Sequence, residues 1–116
     1  MSRDVFEKAS ALGKSIIESE EFKEVQDRER DMIGNPDAQN LLKRFHELQQ
    51  LQKEKQKKGE QLTAEEAKEF EQVQLKIVEN RTIKAFSDAQ EKFQNMMNQV
   101  MKIIKEASVN TIKNKE

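Results

Sequence analysis

With 116 residues and a net charge of -1 from 21 basic and 22 acidic side chains, the chain has the length of one domain. So even a balance sets up no global field that would draw it to nucleic acid or anionic lipid. It holds no cysteine, which excludes disulfides, thiolate metal sites and iron–sulfur clusters built from this chain alone.

Charged residues make up 37% and hydrophobic ones 34% of the chain, and the mean hydropathy is -0.97. Such figures accompany disorder unless the apolar residues are strictly placed, and here they are. Phe86, Phe93, Val100 and Ala107 recur every seven residues, with Ala89, Met96 and Ile103 between them. A narrow helical face of this kind needs few apolar residues to be filled. The aromatic residues are six Phe with no Trp or Tyr, suited to filling a core.

In chain order, a first helix is expected from Ser2 as N-cap to about Glu18, with Val5, Ala9, Leu12 and Ile16 on its face. Phe6, Gly13 and Ile17 widen that stripe. The apolar phase then slips by about one position, which implies a break at Ser19, itself able to cap a second helix beginning at Glu20 and Glu21. Phe22, Val25, Met32 and Ile33 carry the second stripe. Gly34-Asn35-Pro36-Asp37 ends it and starts a third helix, with Asn35 as N-cap and Pro36 in the first turn.

The third helix carries Ala38, Leu41, Leu42, Phe45, Leu48 and Leu51, then continues as a polar arm toward Gly59. Thr63 and Glu66 have the spacing of a capping box. They open a fourth helix with Ala67, Phe70, Val73 and Ile77, flanked by Leu75 and Val78. That helix is expected to end near Asn80-Arg81-Thr82, and a fifth to run to about Ala107, leaving 108–116 as a frayed tail. No strand-like alternation appears. The expected architecture is all-α: one domain over residues 1–107, a bundle of about five helices in which the third and fourth form a projecting antiparallel hairpin.

Two constellations invite a chemical reading. Lys53, Lys55, Lys57 and Lys58 cluster at the hairpin tip and offer contacts to phosphate, but no aromatic residue interleaves them to stack on a base. Folding at Gly59 also brings Glu60, Glu65, Glu66 and Glu69 alongside. A solvated, ion-paired arm is therefore the favoured reading, and nucleic-acid contact through the four lysines the alternative. His46 is the only histidine, with no serine, cysteine or second histidine at a spacing that would make a nucleophile–base pair or a metal site. The expectation is no catalysis, no metal and no cofactor.

Helix five has more apolar face than one neighbour covers, because Met97 and Ile104 add to the a and d positions. Met97, Met101 and Ile104, with Phe22, Val25 and Met32 on the second helix, are the expected surfaces for self-association and partner docking. The charged N-terminus Met1-Ser2-Arg3-Asp4 does not read as a signal peptide, and no stretch approaches the roughly 18 apolar residues of a spanning helix. A cytoplasmic location without membrane contact is expected.

The order and spacing of several short motifs also resemble the YlbF/YmcA family of small helical bacterial proteins, over roughly residues 4 to 107. They are Ala11-Leu12-Gly13-Lys14, Ser19-Glu20-Glu21-Phe22 and Asn35-Pro36-Asp37-Ala38-Gln39. Phe45, Leu48-Gln49, Gly59, Leu62-Thr63, Ile83, Phe86, Ala89-Gln90, Phe93 and Val100 complete the set. The resemblance implies an all-helical domain with a long hairpin, a dimer or larger assembly, and action without catalysis. It further implies a regulatory complex affecting competence, sporulation and biofilm formation, tied to RNA processing by the endoribonuclease RNase Y. Some members hold iron–sulfur clusters through cysteines; this chain has none, so that role does not carry over and a cysteine-free branch is implied. Arg81 and Thr82 stand at a junction where relatives are expected to have a proline. The expected function is a non-enzymatic, self-associating regulatory adaptor; the alternative is an RNA-binding accessory protein using the basic tip.

Overall fold

The computed structural model describes residues 2–115, with side chains described as far as Thr111. The described residues form five helices and no strand: α1 (Arg3–Ile17), α2 (Glu20–Ile33), α3 (Pro36–Lys57), α4 (Ala64–Glu79) and α5 (Arg81–Lys115).

The boundaries follow from local chemistry. Ser19 separates α1 from α2 by using its hydroxyl twice: it donates to the Ile16 carbonyl at 2.6 Å and accepts from the Phe22 amide at 3.1 Å. The Asn35 side chain accepts from the Ala38 amide at 2.9 Å, capping α3 just before Pro36. The capping box is complete, with Thr63 Oγ1 accepting from the Glu66 amide and Glu66 accepting from the Thr63 amide. Gly59 turns the chain with φ of +72°, a left-handed conformation that side chains with a Cβ seldom adopt.

One expectation needs correction. Ser2 stands at the N-cap of α1, but its side chain makes no capping bond. α5 continues to Lys115. Extending a helix already nucleated adds one hydrogen bond per residue fixed, which carries α5 on through Ser108, Val109, Asn110 and Thr111 although these are weak helix formers. The chain divides into two compact units. The first comprises residues up to Asp27 with those from Asp88 onward; the second is Arg28–Ser87. α2 and α5 each run through both.

The second unit holds most of the core. Ala38, Leu48, Val73 and Ile83 are buried there, Leu48 fully so. α3 and α4 form its main helix–helix contact. Phe45 meets Phe70 edge-on with ring centroids 5.4 Å apart, Arg44 pairs with Glu69, and Lys55 with Glu66. From the Arg44–Glu69 pair to the Lys55–Glu66 pair the residue number rises on α3 and falls on α4, so the hairpin is antiparallel. Among the described residues of the first unit only Ala89 is buried; Phe22 and Phe93 tilt together with centroids 5.8 Å apart.

Truncating the one fully buried large side chain, Leu48→Ala, removes packing from the core of the second unit. We expect a loss of about 2–5 kcal/mol, read as a lower urea midpoint at unchanged slope.

Candidate interaction surfaces

The hairpin tip is built by the turn at Gly59 and the capping box after it. Lys55 is largely covered and donates to Glu66 at 2.6 Å, while Lys53, Lys57 and Lys58 are exposed. The cluster of four lysines is thus three exposed cations and one committed ion pair. Glu66 accepts from Lys55 first and from the Thr63 amide second, and these bonds hold its carboxyl down at about 2 from an ordinary 4.5. Farther along the hairpin, Arg44 donates to both oxygens of Glu69 at 2.7 and 2.6 Å and to Glu47 at 3.1 Å. The guanidinium lowers the Glu69 carboxyl, and the two carboxylates raise Arg44 further above its ordinary range.

Along one side of the hairpin, Phe45, Phe70, Leu62 and Ala67 line a groove of about 490 Å³, walled in part by the amides of Gln49 and Gln52. His46 is exposed on α3. Among the described residues no group of three or more His, Cys, Asp or Glu is placed to hold a metal ion. No helix among them is long and apolar enough to cross a membrane.

The six residues expected to form an interface divide sharply. Phe22, Val25, Met32 and Met97 are half-buried, and Phe22 is engaged with Phe93 inside its own unit. Met101 and Ile104 are each 51% exposed. The open apolar surface lies largely elsewhere. No residue of α1 is buried, and Val5, Phe6, Leu12 and Ile17 all stand exposed along it, Phe6 at 67%. Toward the end of α5, Ile103 and Val109 join Met101 and Ile104.

A profile described as control of competence regulator ComK, YlbF/YmcA, matches residues 5–107. The chain belongs to the YlbF/YmcA family. Similar proteins include the UPF0342 protein of Alkalihalophilus pseudofirmus, 30% identical over 103 residues, which span 89% of this chain and 87% of that protein. The UPF0342 protein of Desulfitobacterium hafniense is 28% identical over 110 residues, 95% of this chain and 84% of the relative. Among solved structures, the crystal structure of Bacillus subtilis RicA in complex with RicF contains a chain that matches with a TM-score of 0.88. It is 16% identical, and the match covers 97% of this chain and 99% of that one. At that identity the likeness establishes a shared fold.

Within this family fold, the stripe on α1 was visible in the sequence as the widening by Phe6, Gly13 and Ile17. Periodicity marks a face but does not say whether the chain covers it, and only the structure shows α1 left open.

The lowered Glu66 carboxyl sets a pH dependence. Its contribution is fully present above about pH 4.5 and is lost as pH falls from there toward 2, the folded-state value. Thermal melts followed by circular dichroism are expected to show the wild-type midpoint falling across that window. Glu66→Gln should melt lower at neutral pH and show a shallower acid fall, with Glu69 supplying the remainder.

Proposed function

We propose that this YlbF/YmcA family member is a non-enzymatic regulatory adaptor that self-associates and docks other regulatory proteins in the cytoplasm. The observation that carries the reading is where the apolar side chains lie. Along α1 and the end of α5 they face solvent, on a chain otherwise rich in charge, and exposed apolar stripes of this kind mark protein-binding surfaces. The description of its family, control of competence regulator, supports a role for the adaptor in competence control. The resemblance in sequence extends this to biofilm and sporulation control and to an RNA-processing assembly. The structural neighbour's complex of RicA with RicF supports a partner of similar kind here.

The exposed lysines at the hairpin tip are assigned to solubility and register in this reading, since Lys55 is committed to Glu66 and acids surround the rest.

The test is a pull-down of the tagged full-length chain from its native cytoplasm, split into nuclease-treated and untreated halves, with proteins identified by mass spectrometry. Stoichiometric partners that survive nuclease are expected. Partners that vanish with nuclease would overturn the reading in favour of RNA binding. Lys53→Glu, Lys57→Glu and Lys58→Glu together, which leave the Lys55–Glu66 pair intact, should then abolish a salt-sensitive RNA interaction.

A further inference from the structure

The groove beside the α3–α4 seam is longer than its aromatic floor. Phe45, Phe70 and Leu62 line it near the middle of the hairpin. A second hollow of about 320 Å³ shares Gln52, Leu62 and Ala67 with it and reaches Gln56, Glu60 and Gln61 at the tip. The two make one channel. Every residue lining it belongs to the second unit, Arg28–Ser87.

Three properties define what fits the channel. The first is its floor, where half-buried Phe45, Phe70 and Leu62 offer apolar surface to a large side chain. The second is its hydrogen-bonding capacity. Gln49, Gln52, Gln56, Gln61 and Gln74 border it, all exposed, and none of their side-chain amides is bonded to another described residue. Each amide carries an acceptor and two donors, which complements the C=O and N–H groups of an extended main chain. A docked helix would have satisfied those groups internally and left the glutamines unused.

The third property is charge. Elsewhere on the hairpin Glu47, Glu66 and Glu69 are each held by a cation. Glu60 and Glu71, the acids that line the channel, are exposed and have no ion-pair partner among the described residues. No lysine or arginine lines the channel with them. Two unmatched carboxylates invite cations and repel a phosphate backbone. Length sets the last constraint. From Phe45 to Gln56 α3 rises about 16 Å, the span of about five residues of extended chain.

We propose that the channel docks an extended peptide segment of about five residues, with a large apolar side chain at its middle and a lysine or arginine toward each end. The apolar side chain covers the Phe45–Phe70 pair, the glutamine amides take the main chain, and Glu60 and Glu71 meet the cations. This inference rests on the adaptor reading and supplies the chemistry of one partner.

The probe is the synthetic peptide Ser-Lys-Ser-Phe-Ser-Lys-Ser, which in extended form puts its lysines and phenylalanine on one face. Titrated to millimolar concentration into the isotopically labelled full-length chain, it should shift the side-chain amide resonances of the five channel glutamines. Those of Gln90 and Gln94 on α5 should stay in place. The charge-reversed peptide Ser-Glu-Ser-Phe-Ser-Glu-Ser should bind about tenfold more weakly or worse. Glu60→Lys combined with Glu71→Lys should weaken the first peptide about tenfold. Glu54→Lys combined with Glu79→Lys, exposed acids outside the channel, makes the same change in net charge and should cost less than about twofold. Glutamine resonances unmoved by the first peptide, equal affinity for the two peptides, or the same shifts produced by a single-stranded oligouridylate would overturn the proposal. Nuclease-resistant partners in the pull-down would then leave the adaptor reading standing, so the two fail separately.

Discussion

The seam between α3 and α4 is the contact on which the rest depends. Leu48 is wholly excluded from water, Phe45 and Phe70 meet edge-on, and Arg44 and Lys55 fasten the seam through Glu69 and Glu66. Four of the five buried apolar residues belong to this second unit and one to the first. A chain with so small an apolar fraction has spent its enclosed packing in one place. Cooperative stability should be concentrated there, and the first unit should open more readily.

That asymmetry connects the fold to the function. An unpartnered helical stripe costs little in a chain whose core lies elsewhere, and it gives a surface that can be covered by another chain without disturbing the hairpin. α1 is joined to α2 by the two hydrogen bonds of Ser19, and α5 carries its stripe outward as one unbroken helix.

The sequence made legible whatever rests on local chemistry. Asn35 and Pro36 at α3, Ser19 between α1 and α2, Gly59 at the turn and the Thr63–Glu66 box all act within a few residues of themselves. The alignment of acids against the lysines was also readable, because an antiparallel hairpin puts Glu66 beside Lys55 once the turn is placed. Asn80 was read only as a helix end, yet its side chain accepts from the Ile83 amide at 2.9 Å and so begins α5. The apolar stripe of α5 thins after Ala107, while the helix itself, already nucleated, runs on to Lys115. The interface residues were the hardest. A helical wheel gives the direction of Phe22 but not the neighbour it meets, and only the fold reveals that Phe93 meets it and that Phe6 is left exposed.

The most direct measurement is amide hydrogen exchange on the full chain at high and low protein concentration. If α1 is held by a second copy, its amides are protected at high concentration and lose that protection on dilution, while those of α3 and α4 remain unchanged. Protection of α1 that is the same at every concentration would mean that the chain covers its own stripe, and would contradict the account.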